Sequence, residues 1–532
     1  MGFEDIKMGY SSNLVKFIIF FLVSLILVYG FVSWFFVSPN NSKFVQNSVG
    51  FHAKFEQNHQ DSQDLTVELK SNNGGIIGDV AVKDTLSKNT TIHPLPDIKK
   101  IKKIVDNSSS SSSVDIAPTS YDKSPIILNG THVLTERKVK LEKSTTNLDR
   151  LEAGLQRARS AIKDATYNKN QTRDPDFNPA GPMYWNANAF HRSYLEMEKR
   201  LKVYVYEEGE PPVFHNGPCK SIYSTEGNFI HQMEINDRFR TRNPEKAHVF
   251  FMPFSVAMMV QFVYVRDSHD FGTIKHTVRD YISIISSKYP YWNRSLAADH
   301  FMLSCHDWGP EASFSDPHLS KNSIRVLCNA NTSEGFRPEK DVSFPEINLQ
   351  TGSIHGFIGG PSPSRRSNLG FFAGGLHGPI RPILFEHWEN KDNDLRIYRY
   401  LPKGVSYYNM LRNSKFCICP SGYEVASPRV VEAIYTGCVP VLISDHYVAP
   451  FSDVLNWKSF SVQVSVKDIP KLKTILSSIS TTQYLRMYRR VIQVRKHFEV
   501  NSPPKRFDFF HMILHSVWLR RLNIDVNNHQ NM

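Results

Sequence analysis

The sequence predicts an α/β protein in which buried parallel strands alternate with helices. Residues 248–254 (HVFFMPF) and 416–419 are continuous apolar runs, typical of strands covered on both faces. Residues 416–443 predict a strand, a loop, a short helix and a second strand, which together form a βαβ unit. The chain has 532 residues, 41% of them hydrophobic and 12% aromatic, enough for two or three domains with a sizeable core.

The N-terminal region predicts a membrane anchor. Residues 17–37 contain no charged side chain and are long enough to span a bilayer. A cleaved signal peptide would have a shorter apolar core followed by a small-residue cleavage site, which residues 38–40 do not provide. We therefore expect a cytosolic tail at 1–16, an uncleaved transmembrane helix and a lumenal remainder. Sequons in the remainder make these asparagines candidate glycosylation sites, of which we expect only some to be used: Asn40, Asn89, Asn107, Asn129, Asn170, Asn293 and Asn331.

Residues 38–195 are predicted to form a stem, disordered first and helical later. The part up to residue 130 is polar, includes the serine run 108–113 and lacks periodicity. From 134 to 167 an apolar residue recurs every seven positions, which permits a coiled coil joining a homo- or hetero-oligomer. The second apolar stripe is incomplete, however, which favours a single amphipathic helix lying on the folded part.

The folded part is predicted to divide into two halves, 196–355 and 356–525, at a Gly-, Pro- and Ser-rich stretch. Predicted strands of the first half lie at 201–206, 248–254, 301–305 and 323–328, with a helix at 270–286. Predicted strands of the second half lie at 369–373, 416–419 and 439–443, with helices at 428–436, 467–497 and 506–521.

Two turns of the second half predict an anion site. Ser427 is a suitable N-cap for the helix at 428–436, whose first turn carries Arg429, with Glu432 on the same face. An arginine for a diphosphate and a carboxylate for ribose hydroxyls would suit a nucleotide. The alternative is an ordinary buried βαβ unit with a surface Arg–Glu pair. In the loop between strand and helix, Glu424 either contacts a donor sugar or base or stabilises the loop.

The second turn follows the strand at 369–373. It contains His377 and Gly378, and a proline then opens a helix that carries Arg381. Glycine allows close approach of a backbone to phosphate, and a helix start favours an anion. A simple tight connection is the alternative, but two such turns, each with an arginine after a helix-opening proline, strengthen the prediction of a diphosphate site.

Candidate proton acceptors lie in the first half. His306 and Asp307 follow the predicted strand at 301–305, at the end where α/β proteins bind ligands. Either side chain could serve as a general base, and we favour Asp307. The alternative is a polar turn that caps the next segment. Asp341 is a further candidate.

Charge and cysteine content narrow the choice of partners. The net charge is +12. This excess of positive charge is expected for a protein that binds a diphosphate or an acidic polysaccharide, and it is also expected for a solvated basic surface without a partner. The predicted membrane anchor makes nucleic acid an unlikely partner. All six cysteines lie beyond residue 200, where a lumen would permit disulfides, but their pairing does not follow from sequence. Cys417 and Cys419 could be paired or free.

The pairs Asp174/Asp176 and Asp392/Asp394 follow no buried strand, so we expect no metal site.

Several motifs in one order carry a resemblance to a known family. They are LKVYVYEEGEPP (201–212), HVFFMPF (248–254), DHFMLSCHDWGP (299–310), KDVSFPEI (340–347), FFAGGLHGPIR (371–381) and SGYEVASPRVVEAIYTGCVPV (421–441). Together they resemble the plant exostosin-like glycosyltransferases, glycosyltransferase family 47.

The resemblance implies an inverting hexosyl- or pentosyltransferase of the GT-B type, with two Rossmann-like domains facing a cleft. It implies a UDP-sugar donor, no metal, Glu432 as the ribose contact, and a type II Golgi membrane protein acting on a cell-wall polysaccharide. The stretches LEAGLQRARSAIKDA and PMYWNANAFHRSYLEMEKRLKVYVYEEGE are most similar to a subgroup that includes xylogalacturonan xylosyltransferase, which makes pectin the first expectation for the acceptor.

Two other functions compete with this interpretation. A non-catalytic Golgi scaffold of a polysaccharide synthase complex would be favoured by the heptad helix, but the intact Arg381, Arg429 and Glu432 argue against loss of the donor site. A glycoside hydrolase would need a pair of carboxylates flanking a sugar bond, and no such pair stands out in the sequence.

Overall fold

The computed structural model describes residues 146–167, 173–524 and 526. The predicted tail, anchor and polar stem lie outside the described residues. Within those ranges, no helix is both long and apolar enough to cross a membrane. In the described part of the chain, two helices precede the first strand, α1 (Asn147–Tyr167) and α2 (Ala187–Arg200).

The first half is built on a six-stranded parallel sheet with the order β2-β1-β3-β4-β5-β6. Its strands are β1 (Val203–Val205), β2 (Arg240–Thr241), β3 (Val249–Phe251), β4 (His300–Ser304), β5 (Ile324–Leu327) and β6 (Val342–Ser343). Its helices are α3 (Ser224–Glu234), α4 (Val256–Phe262), α5 (Gly272–Lys288), α6 (Pro290–Ser295), α7 (Gly309–Ser313) and α8 (Pro317–Lys321). The strand order reverses between β1 and β3.

The second half is built on a five-stranded parallel sheet with the order β11-β10-β9-β7-β8, which reverses between β7 and β9. Its strands are β7 (Asn368–Ala373), β8 (Leu395–Tyr398), β9 (Ser414–Pro420), β10 (Val439–Ile443) and β11 (Val462–Gln463). Its helices are α9 (Ile380–Trp388), α10 (Tyr407–Asn413), α11 (Arg429–Thr436), α12 (Leu472–Ser477), α13 (Thr481–Val494) and α14 (Phe509–Leu522).

The α/β class and the parallel sheets predicted from the sequence are confirmed. The apolar runs form central strands: β9 lies between β7 and β10, with Phe416 paired to Val439, and every residue of β10 is buried. The strands predicted from these runs are too long in the first half. Of the seven residues at 248–254, only three form β3. Apolar character marks burial, which continues past the residues that form ladder hydrogen bonds.

The stem helix α1 packs on the folded part. Leu155 and Ala158 are fully buried, and the Arg159 Nε donates to the Leu522 carbonyl oxygen at 2.6 Å. Glu152 forms an ion pair with Arg521 of α14. The described portion of the heptad segment therefore behaves as the single amphipathic helix that the incomplete stripe favours, and its apolar face is covered by its own chain.

The last helix joins the two halves. Two arginines of α14 donate to carbonyl oxygens of the first half, Arg520 to Asp341 at 2.8 Å and Arg521 to His248 at 2.7 Å. The largest cluster of buried apolar side chains includes strands of both sheets together with α14. The described residues thus belong to one compact unit.

Two disulfides are present, Cys305–Cys328 and Cys417–Cys438. Cys219 and Cys419 are free thiols, the first exposed and the second buried. Cys417 therefore pairs with a residue that precedes the neighbouring strand, rather than with Cys419. Each disulfide lies within one half of the chain, and the first lies at the carboxyl ends of β4 and β5.

Candidate active site

Two loops of the second half meet where its strand order reverses. One follows β7 and the other follows β9, and ligands bind at such switch points in open α/β sheets. Gly378 has a φ of +67°, and a Cβ there would lie 1.8 Å from the Gly422 carbonyl oxygen. Only glycine allows this approach, so Gly378 lets the two loops pack closely against each other.

Two buried arginines converge beneath these loops. Arg381 of α9 and Arg429 of α11 are 4% and 3% exposed. Their guanidinium groups lie 5.7 and 5.2 Å from the centre of the Phe372 ring. Arg381 Nη1 donates to the Gly375 carbonyl oxygen at 3.1 Å, and Arg429 Nη2 donates to the Ala373 carbonyl oxygen at the same distance.

The arginine pair makes this edge strongly positive. Burial and the neighbouring Arg429 charge lower the pKa of Arg381 to about 9. A Cβ at Gly374 would lie 2.4 Å from Arg429 Nη2, so this glycine makes room for a guanidinium group. Guanidinium groups bind phosphate oxygens through charge-assisted hydrogen bonds. The site therefore suits a diphosphate. A glycine follows β7 because a larger residue there would collide with the Arg429 guanidinium group.

The structure corrects one detail around α11. The helix begins at Arg429, one residue later than predicted, and Pro428 occupies the N-cap position without a side-chain cap. The N-cap role predicted for Ser427 is therefore wrong. Its hydroxyl instead accepts a hydrogen bond from Arg429 Nη1 at 3.5 Å. Ser427 still lines the cleft.

Glu432 lies beside the anion site rather than in it. Its Oε2 accepts a hydrogen bond from the Tyr407 hydroxyl at 2.8 Å. It lines a small separate cavity together with Tyr408, and it is not among the described residues that line the main cleft. The ribose contact stays a prediction, and it would require the carboxylate to bind a ligand while Tyr407 holds it.

The facing edge of the first half is set by a disulfide and a buried carboxylate. Cys305–Cys328 joins the chain just beyond β4 to the chain just beyond β5. Glu226 of α3 is fully buried, and its Oε2 accepts hydrogen bonds from the amides of Cys305 at 2.7 Å and His306 at 3.2 Å. These contacts fix the backbone that carries Asp307. No sequence motif pointed to Glu226.

Asp307 lines the cleft and has the properties of a general base. Burial raises its pKa to about 6, although the Tyr223 hydroxyl beside it acts in the opposite direction. A base is most effective when its pKa lies near the working pH. His306, by contrast, is not among the described residues lining the cleft. Its Nδ1 accepts the Trp308 amide at 3.1 Å, and its ring packs against Tyr223.

Two glutamates complete the acidic side of the cleft. Glu346, three residues beyond β6, is 6% exposed and lines the cleft. Burial, with the charge of Asp307, raises the pKa of Glu346 well above its usual value. Glu424 was predicted from the loop after β9, and burial raises its pKa to about 8. Asn329 Nδ2 donates to Glu424 Oε2 at 2.6 Å and so links the two halves across the cleft.

Glu346 is not among the site residues predicted from the sequence, although it lies in the motif KDVSFPEI. The further candidate from that motif is Asp341, which is fully buried and forms ion pairs with Arg325 and Lys340. Asp341 is therefore structural, not a base. Its position before β6 puts it at the amino end of the strand, whereas Glu346 lies beyond the carboxyl end. Strand direction is the signal that would have separated them.

The cleft encloses about 150 Å³ and is lined by both halves. It brings together residues from five separate segments of the chain. Those with polar side chains are Tyr223, Asp307, Glu346, His377, Arg381, Glu424, Ser427 and Arg429. His377 packs on the exposed ring of Tyr423 at the rim, with ring centres 5.1 Å apart.

Other predicted positions lie away from the cleft. Arg506 pairs with Asp174 and Asp176, and Lys473 pairs with Asp392 and Asp394. No group of three or more His, Cys, Asp or Glu side chains suited to a metal occurs in the described ranges. Of the sequons, only Asn293 and Asn331 are described. Asn293 is exposed, whereas Asn331 is 7% exposed and caps a turn through Ser333, which disfavours its glycosylation.

A buried arginine pair facing carboxylates across a cleft between two α/β halves is the type of site used for group transfer from a phosphorylated donor. A family model of the Exostosin GT47 domain matches residues 197–479. The chain belongs to this family, and it is a glycosyltransferase.

Relatives support the same assignment. The chain is 70% identical over 381 residues to a "Probable glycosyltransferase" of Arabidopsis thaliana, covering 72% of this chain and 73% of the relative. It is 29% identical to a "Probable beta-1,4-xylosyltransferase" of the same plant, covering 60% of this chain and 82% of that one. A "Probable glucuronosyltransferase" of Oryza sativa subsp. japonica is 30% identical over 60% of this chain and 81% of that one.

A solved structure of Anabaena HepE in complex with UDP and glucose aligns with 57% of this chain and 96% of its own, at 10% identity. The TM-score of 0.30 is too low for this likeness to carry an argument.

Proposed function

We propose that this chain is an inverting transferase of the GT-B type that moves a sugar from a UDP-sugar to a cell-wall polysaccharide. The observation that carries the proposal is the pair of buried arginines, Arg381 and Arg429, facing Asp307 across one cleft. A diphosphate leaving group needs positive charge, and an attacking hydroxyl needs a base. The two edges of the cleft supply one each.

The arginines act on the leaving group. As the bond between the anomeric carbon and the diphosphate oxygen breaks, negative charge grows on that oxygen. Arg381 and Arg429 are already held in place by backbone carbonyl oxygens, so they stabilise this charge with little reorganisation. His377 and Ser427 line the same side and are placed to contact the diphosphate. The two guanidinium groups supply the charge that this step needs, so the proposal requires no metal ion.

Asp307 acts on the acceptor. Its carboxylate takes the proton of an acceptor hydroxyl while the hydroxyl oxygen attacks the anomeric carbon, and UDP leaves from the opposite face. The new glycosidic bond therefore has inverted configuration. Glu432 binds the ribose hydroxyls in this proposal, and Glu424 contacts the donor.

The donor, acceptor and location are further parts of the proposal. The names of the relatives favour a xylosyl or glucuronosyl donor, and the resemblance noted in the sequence favours pectin as acceptor. The charge of +12 would tolerate an acidic polymer. The charge-free stretch at 17–37 supports a type II protein anchored in the Golgi membrane with the catalytic part in the lumen.

The scaffold alternative has lost its main support. The heptad helix was the feature that favoured it, and in the described part the apolar face of α1 is buried against this chain through Leu155 and Ala158. Oligomerisation through the segment 134–167 remains a prediction.

The proposal is tested by donor binding. We would measure thermal stabilisation of the full-length chain by UDP and a panel of UDP-sugars, with Arg429→Ala as the site variant and the exposed Arg365→Ala as its control. Stabilisation by one UDP-sugar that is lost only in Arg429→Ala would support the donor site. A folded chain that binds neither UDP nor any UDP-sugar would contradict the proposal.

A further inference from the structure

Glu346 differs from three other buried carboxyl groups described above. Glu226 accepts backbone amides, Asp341 pairs with two cations, and Glu424 accepts from Asn329. The carboxyl group of Glu346 has no hydrogen bond or ion pair to another described residue, although its side chain is only 6% exposed. Its remaining exposure is to the cleft, which it lines.

Such a group is costly unless a ligand completes it. A mostly buried carboxyl without a protein partner loses most of its hydration, and only molecules in the cleft can then bind its oxygen atoms. Native proteins satisfy most buried polar groups, so an exception that faces a cleft points to something that binds there. The hydroxyl group is the ligand chemistry that a carboxyl suits in either protonation state, because the two can exchange donor and acceptor roles.

The position of Glu346 identifies which part of the substrate carries that hydroxyl. Glu346 lines the same cleft as Asp307, Arg381 and Arg429. In the proposed reaction the base and the diphosphate are separated by the sugar that is transferred. Because Glu346 lines the cleft together with the base and the arginine pair, we place it beside that sugar.

We propose that Glu346 binds a hydroxyl of the transferred sugar and thereby helps to select the donor. This inference rests on the proposed function, because it takes the arginine pair as the diphosphate site. Glu346 would then contribute to recognition of the sugar while contributing nothing to recognition of UDP.

The surroundings of Glu346 also indicate its protonation state. The charged and titratable groups that face it are Asp307, Tyr223, Arg381, Arg429, Glu432 and Tyr447. Burial and the two acidic neighbours outweigh the arginines, so the pKa of Glu346 lies well above its usual value. A protonated Glu346 can donate to a sugar oxygen as well as accept from a hydroxyl. A glutamine has the same shape and the same two capacities, whereas an alanine has neither.

The test compares four full-length chains: wild type, Glu346→Ala, Glu346→Gln and Glu339→Ala, a control on an exposed position of the same segment. Calorimetry would give the Kd of each for UDP, UDP-xylose, UDP-glucuronic acid and UDP-galactose. We expect all four to bind UDP within about twofold. For the UDP-sugar that wild type binds more tightly than UDP, we expect Glu346→Ala to weaken binding about 10- to 100-fold and Glu346→Gln less than about fivefold.

The outcomes separate the inference from the proposed function. If folded wild type does not bind UDP, the proposed function fails and the inference fails with it. If wild type binds UDP but no UDP-sugar more tightly, or if Glu346→Ala binds the preferred UDP-sugar as wild type does, only the inference fails. A loss of UDP binding in a folded Glu346→Ala would also overturn it, because Glu346 would then support the diphosphate site.

Discussion

The two edges of the cleft differ in charge and in their relation to the sheets that carry them. The second half presents Arg381 and Arg429 at the switch point between β7 and β9, where a parallel sheet is expected to bind a ligand. The first half presents Asp307 and Glu346 beyond β4 and β6, away from its own switch point between β1 and β3. The basic edge therefore lies where a single parallel sheet is expected to bind a ligand. The acidic edge lies elsewhere on its sheet, at the place where the two halves pack against each other.

Polar side chains just beyond β1 bind other side chains of the first half. Beyond β1, the Tyr206 hydroxyl lies 2.7 Å from His300 Nε2. Glu208 accepts hydrogen bonds from Lys288 and Tyr289, each at 2.7 Å. These polar groups are used within the first half, whereas Arg381 and Arg429 line the cleft.

The sharpest way to separate the two edges is to neutralise Asp307, the proposed base. In Asp307→Asn we expect kcat to fall about 10³-fold with the Kd for UDP unchanged, because the amide cannot accept the acceptor proton. Asp307 must be ionised to act, so wild-type kcat/KM should fall as the pH drops below its pKa of about 6. This acid limb should be absent from Asp307→Asn. The exposed Asp237→Asn is the control, and an unchanged kcat in Asp307→Asn would remove Asp307 from the mechanism.

Removing a charge from the basic edge should affect binding as well as rate. In Arg381→Met we expect the affinity for UDP and kcat/KM each to fall about 100-fold, because a buried donor to the diphosphate is lost. Methionine keeps much of the packing on Phe372. Equilibrium binding and initial rates would be compared with Arg365→Met, an exposed position of the same half. Normal UDP affinity in Arg381→Met would contradict a diphosphate at this edge.

The disulfides offer a matched comparison between the halves. They span 23 and 21 residues, so removing either should lower the free energy of unfolding by about 3 kcal/mol. We expect Cys305→Ala/Cys328→Ala also to lower kcat, because this disulfide anchors the chain that carries Asp307. Cys417→Ala/Cys438→Ala should leave kcat within about twofold once the protein is folded. Denaturant unfolding and kcat would be measured on both, and equal kcat values would show that the first disulfide serves stability alone.

The contact that joins the edges should give the smallest effect. Burial raises the pKa of Glu424 to about 8, so it is protonated at neutral pH and Glu424→Gln resembles it there. We expect kcat/KM of this variant to stay within about threefold of wild type at pH 7. Above pH 8 the wild-type Glu424 carboxyl ionises near Asp307 and the proposed diphosphate site. We therefore expect kcat/KM of the wild type to decline there, whereas kcat/KM of Glu424→Gln should stay constant. Matching declines would assign the alkaline limb to another group.

Local patterns were sufficient for the fold class and for much of the basic edge. Continuous apolar runs predicted β9 and β10, because strands buried on both faces need no polar side chains. A proline at a helix start followed by an arginine marked both Arg381 and Arg429. These signals are local because each arginine follows a strand by a few residues, and chain direction alone then puts it at the carboxyl edge of its sheet.

Of the acidic edge, only Asp307 could be predicted in the same way. Glu346 and Asp341 stand five positions apart in one motif, and β6 between them has only two residues, too few to be recognised as a strand from an apolar run. The disulfide partners, the support of Asp307 by Glu226 and the link from Asn329 to Glu424 join residues tens of positions apart, and no local periodicity encodes them. They exist because packing of the two sheets and α14 brings distant loop ends together, and the charges there acquire their pKa values from that shared burial.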